Sequence, residues 1–94
     1  MHTIQVSEED VRDLFELIVS LGSVEDCRDL FEDLCTVNEI KQMAQRLKAA
    51  KLLMEDKTYS QVTAQTDISS ATLSRVSRCV QNGKGYARLL KKAD

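Results

Sequence analysis

"TYSQVTAQTDISSATLSRVSRCVQN", Thr58 to Asn82, is the stretch on which the fold turns. Tyr59-Ser60 leads into "QVTAQT", enough for a helix of under two turns. "DIS" then breaks the periodicity, and "SATLSRVSRCVQN" resumes it with Leu73, Val76 and Val80. Two short helices separated by a tight turn form the helix-turn-helix outline. Val62, Thr66, Ile68, Leu73 and Val76 fall where such a motif needs inward side chains: two on the first helix, one in the turn and two on the second. Asp67 stands where glycine is commonest. Aspartate is among the few other residues that tolerate a left-handed backbone, so one is expected there.

With those positions turned inward, the outer face of the second helix follows. Ser69 or Ser70 caps it, and Ser70, Ala71, Thr72, Ser74, Arg75 and Arg78 are left outside. A helix entering the major groove brings its first residues close to base edges, so small side chains there are a condition of fit. Short hydroxyls bond bases or phosphates, Ala71 or the Thr72 methyl meets a thymine methyl, and Arg75 spans a guanine in bidentate fashion. Ser69 and the helix N-terminus would hold a phosphate, and Lys84 would reach another. A serine-rich helix of an ordinary bundle has similar composition. It explains neither the apolar spacing nor the lack of any acid from Ile68 to Ala93.

Charge divides the chain. Residues 1–40 carry eleven acids against two bases, a net of −9, while residues 41–94 carry eleven bases against four acids, a net of +7. The formal total of −2 conceals a basic half suited to a polyanion such as double-stranded DNA.

The remaining segments read as helices. Ser7 with Asp10, Ser23 with Asp26, and Thr36 with Glu39 are hydroxyl-x-x-acid starts, each opening an apolar run. They predict helices over about Ser7–Leu21, Ser23–Cys35 and Val37–Glu55. The apolar stripes are Val11, Leu14, Phe15, Ile18 and Leu21, then Val24, Cys27, Leu30, Phe31 and Leu34, then Ile40, Met43, Ala44, Leu47, Ala50 and Met54 with Leu53 beside them. All three stripes are expected in a core. Asn82-Gly83 ends the recognition helix, and Tyr86–Lys92 reads as a last short helix, with Ala87, Leu89 and Leu90 apolar, Arg88, Lys91 and Lys92 outside, and Tyr86 packed with its hydroxyl free to contact DNA. The absence of proline and the presence of only three glycines fit an all-α chain. Ninety-four residues form a single domain, residues 1–94. Within it, 1–56 is expected to be a helical dimerisation core, 57–81 the helix-turn-helix and 82–94 the C-terminal helix. A chain this short buries a modest share of its surface alone, so a second copy is expected to share the core.

Other chemistries find little support. Cys27, Cys35 and Cys79 have no zinc-like spacing, and His2 is the lone histidine, at the terminus, so neither a metal site nor a disulfide framework is expected. Gly83-Lys84-Gly85 lacks the spacing and preceding strand of a phosphate loop. No histidine sits beside a nucleophile, and the acids lie on solvated helix faces, so catalysis is not expected. No apolar run approaches the ~18 residues of a membrane span, and no signal pattern opens the chain. A soluble, cytoplasmic protein is expected.

The chain resembles the Trp repressor family, particularly its shorter YerC/YecD-type branch. The likeness runs from about Phe15 to Leu90 and rests on the "L-x-T-x-x-E" start Leu34–Glu39, on Arg46, on "YSQ" and on "SSATLSRV". It implies a six-helix fold in an intertwined homodimer, with two helix-turn-helix heads and a role as sequence-specific transcription regulator, most often a repressor. It also places Thr36, Arg46 and Arg75 at the family's effector positions. The tryptophan-responsive pattern has glycines in the turn and directly after the recognition-helix arginine. Here "DISS" and Val76 stand instead, which argues against tryptophan as corepressor, and no cofactor is expected. The competing reading is a helical protein-interaction module, in which the acidic first two helices hold a partner and no DNA sequence is read.

Overall fold

A computed structural model of the chain describes residues 7–90, which hold six α-helices and no strand. Two compact units divide at Thr36 and Val37. The first contains α1 (Glu8–Ser20) and α2 (Val24–Leu34), the second α3 (Val37–Met54), α4 (Tyr59–Gln65), α5 (Ser70–Asn82) and α6 (Gly85–Leu89). Within the second unit α3 packs with the helix-turn-helix.

In the first unit the capping signals are realised. Ser7 Oγ accepts from Asp10 N–H at 3.1 Å and Ser23 Oγ from Asp26 N–H at 3.0 Å, each satisfying a backbone donor that the first helical turn leaves without a partner. Acids fill the first turn of both helices, where the dipole favours them. Within the single chain neither helix has a buried residue. Phe15 is 57% exposed, and Leu34 is 51% exposed. Two helices of 13 and 11 residues contain no third layer to close over both apolar faces.

The second unit has a true core. Ala49, Ala50, Val62, Leu73 and Val76 are buried, with Leu52, Leu53, Ile68, Val80, Tyr86 and Leu90 packed around them. Within the single chain a different face of α3 meets this core. Asn38, Lys41, Gln42, Gln45, Ala49, Leu52 and Leu53 follow one another at helical spacing along the face toward α4, α5 and their turn. That face is polar at its start and apolar at its end. The stripe expected in the core, centred on Met43, Ala44 and Leu47, lies on the opposite face and is exposed. Only its flanks at Ala50 and Leu53 reach the core. Ala49 and Ala50, both fully buried, are the α3 members of that core.

The left-handed residue is Asp56, with φ of 64°, and not Asp67. After α3, Asp56 N–H donates to Leu53 O at 3.0 Å and Lys57 N–H to Leu52 O at 3.1 Å, the paired bonds of a Schellman end with aspartate where glycine is usual. The chain between α4 and α5 needs no such residue. It leaves α4 at an extended Thr66 (φ −134°, ψ 163°) and enters α5 at an extended Ser69 (φ −70°, ψ 161°).

α4 starts with a capping box not singled out in the sequence. Thr58 Oγ1 accepts from Gln61 N–H at 3.2 Å, and Gln61 Oε1 accepts from Thr58 N–H at 2.8 Å. α5 ends at Gly83, as expected, but for a steric reason. Its φ of −83° is open to any residue, yet a β-carbon there would stand 2.6 Å from Cys79 O, the acceptor of the closing Gly83 N–H bond at 2.8 Å. Gly83→Ala is therefore expected to cost about 0.5–3 kcal/mol, read as a lowered Tm in circular dichroism. In α6, Tyr86 and the closing Leu90 pack on the core, whereas the apolar Ala87 and Leu89 are exposed. A five-residue helix has only one narrow face to bury, and Tyr86 and Leu90, four residues apart, occupy it. Lys91, Lys92 and His2 lie outside the described residues.

Candidate nucleic-acid interface

α5 owes its attitude to what it buries. Leu73, Val76 and Ser77 are buried on one side, and Cys79 and Val80 are half-buried beside them. Ser77 was not anticipated; it follows Leu73 by four residues, and its hydroxyl accepts from Gln81 Nε2 at 3.3 Å, which satisfies it without leaving the helix. The inward set foreseen from spacing is thus largely realised, with Val62, Leu73 and Val76 buried and Thr66 and Ile68 half-buried. Thr66 Oγ1 donates to Val62 O at 2.8 Å, which closes the end of α4 as Ile68 enters the core.

The opposite side is turned to solvent. Ser70, Ala71, Ser74, Arg75 and Arg78 are exposed, and Ala71, Ser74, Arg75 and Arg78 share one face at spacings of three and four. Thr72 is half-buried at the rim of that face. Ser69 is the cap: its Oγ accepts from Thr72 N–H at 3.1 Å and lies 3.0 Å from Thr72 Oγ1, to which it donates. Both hydroxyls begin engaged with each other. The Ser70 and Ala71 amides in the first turn have no acceptor within the helix and point along its axis, the geometry that receives a phosphate oxygen. Lys84 is exposed just beyond the helix. No acid stands between Ile68 and Leu90 in sequence, so Arg75, Arg78, Lys84 and Arg88 give this segment an all-basic charge.

Between the polar start of α3 and the helix-turn-helix lies a cleft of about 410 Å³. Asn38, Lys41, Gln42, Gln45 and Arg46 line one wall, and Asp67, Ile68, Ser69 and Thr72 the other. Of the three effector positions implied by the resemblance, Arg46 lies on this wall. Arg75 is exposed on α5 and is not part of it, and Thr36 immediately precedes α3. Gln45, which no sequence signal marked, bridges the cleft at one point: its Oε1 accepts from Asp67 N–H at 3.1 Å. Among the described residues no helix is long and apolar enough to cross a membrane.

Comparison with known proteins agrees with this architecture. The family model for the Trp repressor protein matches residues 9–94. The uncharacterized protein YerC of Bacillus subtilis (strain 168) is 45% identical over 75 residues, covering 80% of this chain and 72% of YerC. A TrpR-like protein from Eubacterium eligens ATCC 27750 superposes with a TM-score of 0.83 at 42% identity, over 87% of this chain and 86% of that one. A Staphylococcus aureus chain put forward as a Trp repressor gives 0.84 at 39% identity, over 89% and 85%.

Proposed function

The chain belongs to the Trp repressor family, and from that premise we propose that it is a cytoplasmic, sequence-specific DNA-binding transcription regulator, a repressor that works as a homodimer. The observation that carries this reading is the division of α5: Leu73 and Val76 hold it against the core, while Ala71, Ser74, Arg75 and Arg78 form an exposed face with small residues first and arginines after. A helix so arranged can press its first turn into a major groove without steric conflict. Ser70, Ala71, Thr72, Ser74 and Arg75 would read base edges, and Ser69, Arg78 and Lys84 would hold the backbone.

Dimerisation accounts for the apolar surface that a single chain leaves open. The exposed residues of α1 and α2, the Met43–Leu47 face of α3, and a groove of about 430 Å³ lined by Leu47, Cys79, Leu89 and Leu90 call for cover, and a second copy offers it. In this reading residues 1–56 are chiefly the dimerisation body, 57–81 the reading head and 82–94 its C-terminal support. Tryptophan is not proposed as the corepressor: Val76 is buried beside Arg75 where the responsive pattern has glycine, and the wall of the cleft is mainly amide, hydroxyl and charge, with Ile68 its one large apolar residue. Arg46 and Thr36 then serve the fold or a different effector.

The test is titration of mixed and selected duplexes at rising salt. A dimer with about six or more phosphate contacts is expected to lose on the order of 10³-fold in affinity between 50 and 200 mM salt, with a residual preference for one palindromic site. Absence of binding to any duplex at 50 mM salt would sink the reading in favour of a protein-interaction module.

A further inference from the structure

We propose that Gln45 is a positioning residue for DNA reading: by tying the turn between α4 and α5 to α3, it sets the direction in which α5 is presented. The proposal rests on the DNA-binding reading above. The bond from Asp67 N–H to Gln45 Oε1, at 3.1 Å, joins positions 22 residues apart. The other side-chain bonds of the helix-turn-helix, such as Thr66 to Val62 and Thr72 to Ser69, stay within one turn of helix and cannot orient one helix against another.

Only two residues, Asp67 and Ile68, lie between the last capping position of α4 and the first of α5. They are held from two sides. Ile68 packs on the core, and the Asp67 amide is held by α3 across the cleft. An apolar contact alone is non-directional and tolerates rotation of the turn; the hydrogen bond adds an angular constraint. The bond is at an exposed site, so water can take the place of Gln45 when the acceptor is lost. The consequence is a separation of effects: removal of the acceptor leaves the fold nearly as stable while loosening the orientation of α5.

Gln45→Met keeps the length and helix preference of the side chain and removes the acceptor. We expect the Tm by circular dichroism to stay close to the parent value. Hydrogen exchange at the Asp67 amide, followed by NMR without DNA, should accelerate. Affinity for the selected site should fall about 3- to 10-fold, the scale of one neutral hydrogen bond, with affinity for random duplex unchanged. Gln45→Glu, which restores an acceptor, should recover the slow exchange at Asp67. Unchanged Asp67 exchange in Gln45→Met overturns the tether. Faster exchange with undiminished preference for the selected site overturns the positioning role, and so does a loss of affinity that merely follows a fall in Tm. A parent protein that binds no duplex overturns the DNA-binding reading itself, whereas a parent that binds and a Gln45→Met variant that binds equally overturn only this proposal.

Discussion

Leu73→Ala is expected to destabilise residues 37–90 by about 2–5 kcal/mol and to abolish DNA binding at 37 °C. Leu73 is 1% exposed and, with Val62, is one of the two largest fully buried side chains among the described residues. Among the described residues the core holds five buried apolar side chains, two of them alanines, so a cavity at Leu73 removes a large share of what holds α5 on α3. Few neighbours can collapse into the space, because Val62 and Val76 are β-branched and stiff at their first torsion. Total stabilities run to about 5–15 kcal/mol, which makes this loss a substantial fraction. Urea unfolding followed by circular dichroism measures it, with Ser74→Ala, on the exposed face one position along, as the control that should shift by less than about 0.5 kcal/mol. Parent-like stability of Leu73→Ala would mean that the inward face of α5 is not the one described.

Arg75→Ala should leave that stability untouched and act on specificity. Arg75 is exposed on the outward face of α5, about one and a half turns from the cap at Ser69, where a guanidinium can span the two acceptors of a guanine. The expected loss is about 1–3 kcal/mol of discrimination at one base pair of each half-site. Competition titrations with the selected site and its single-base variants read this directly: at the affected pair the variant protein should cease to prefer guanine, and at the others it should discriminate as before. A uniform loss across all sequences would reassign Arg75 to the phosphate backbone. The same comparison separates Arg75 from Gln45, whose loss should blunt the preference at every pair because it acts on the whole helix.

Much of the site was legible because the helix-turn-helix constrains its residues over short spans. Val62, Leu73 and Val76 repeat at helical spacing, so their burial followed from the pattern, and the exposure of Ala71, Ser74, Arg75 and Arg78 followed by elimination. Caps at Ser7, Ser23 and Ser69 were readable for the same reason, since donor and acceptor are three residues apart. The Thr58–Gln61 capping box carried the same kind of signal and could have been found. The left-handed turn was assigned to Asp67 by analogy with glycine, but Asp56 is where the backbone reverses after a long helix. Nothing in "MEDK" marks that position, because aspartate tolerates the conformation without demanding it.

The sequence by itself determined the helical segments, the starts of α1, α2 and α5, and most of the inward and outward sides of α5, since these depend on interactions between residues at most four apart. Tertiary structure alone decided which face of α3 meets the head. A long amphipathic helix carries a stripe that runs from Asn38 and Gln45 to Ala49 and Leu52 as well as an apolar one through Met43 and Leu47; periodicity ranks the second higher, although the first is the side that faces α4, α5 and their turn. It alone decided the pairing of Gln45 with Asp67, because a hydrogen bond across 22 residues leaves no local trace. The physical reason is common to both: local sequence specifies which surfaces a helix offers, and only the packing of other helices selects among them.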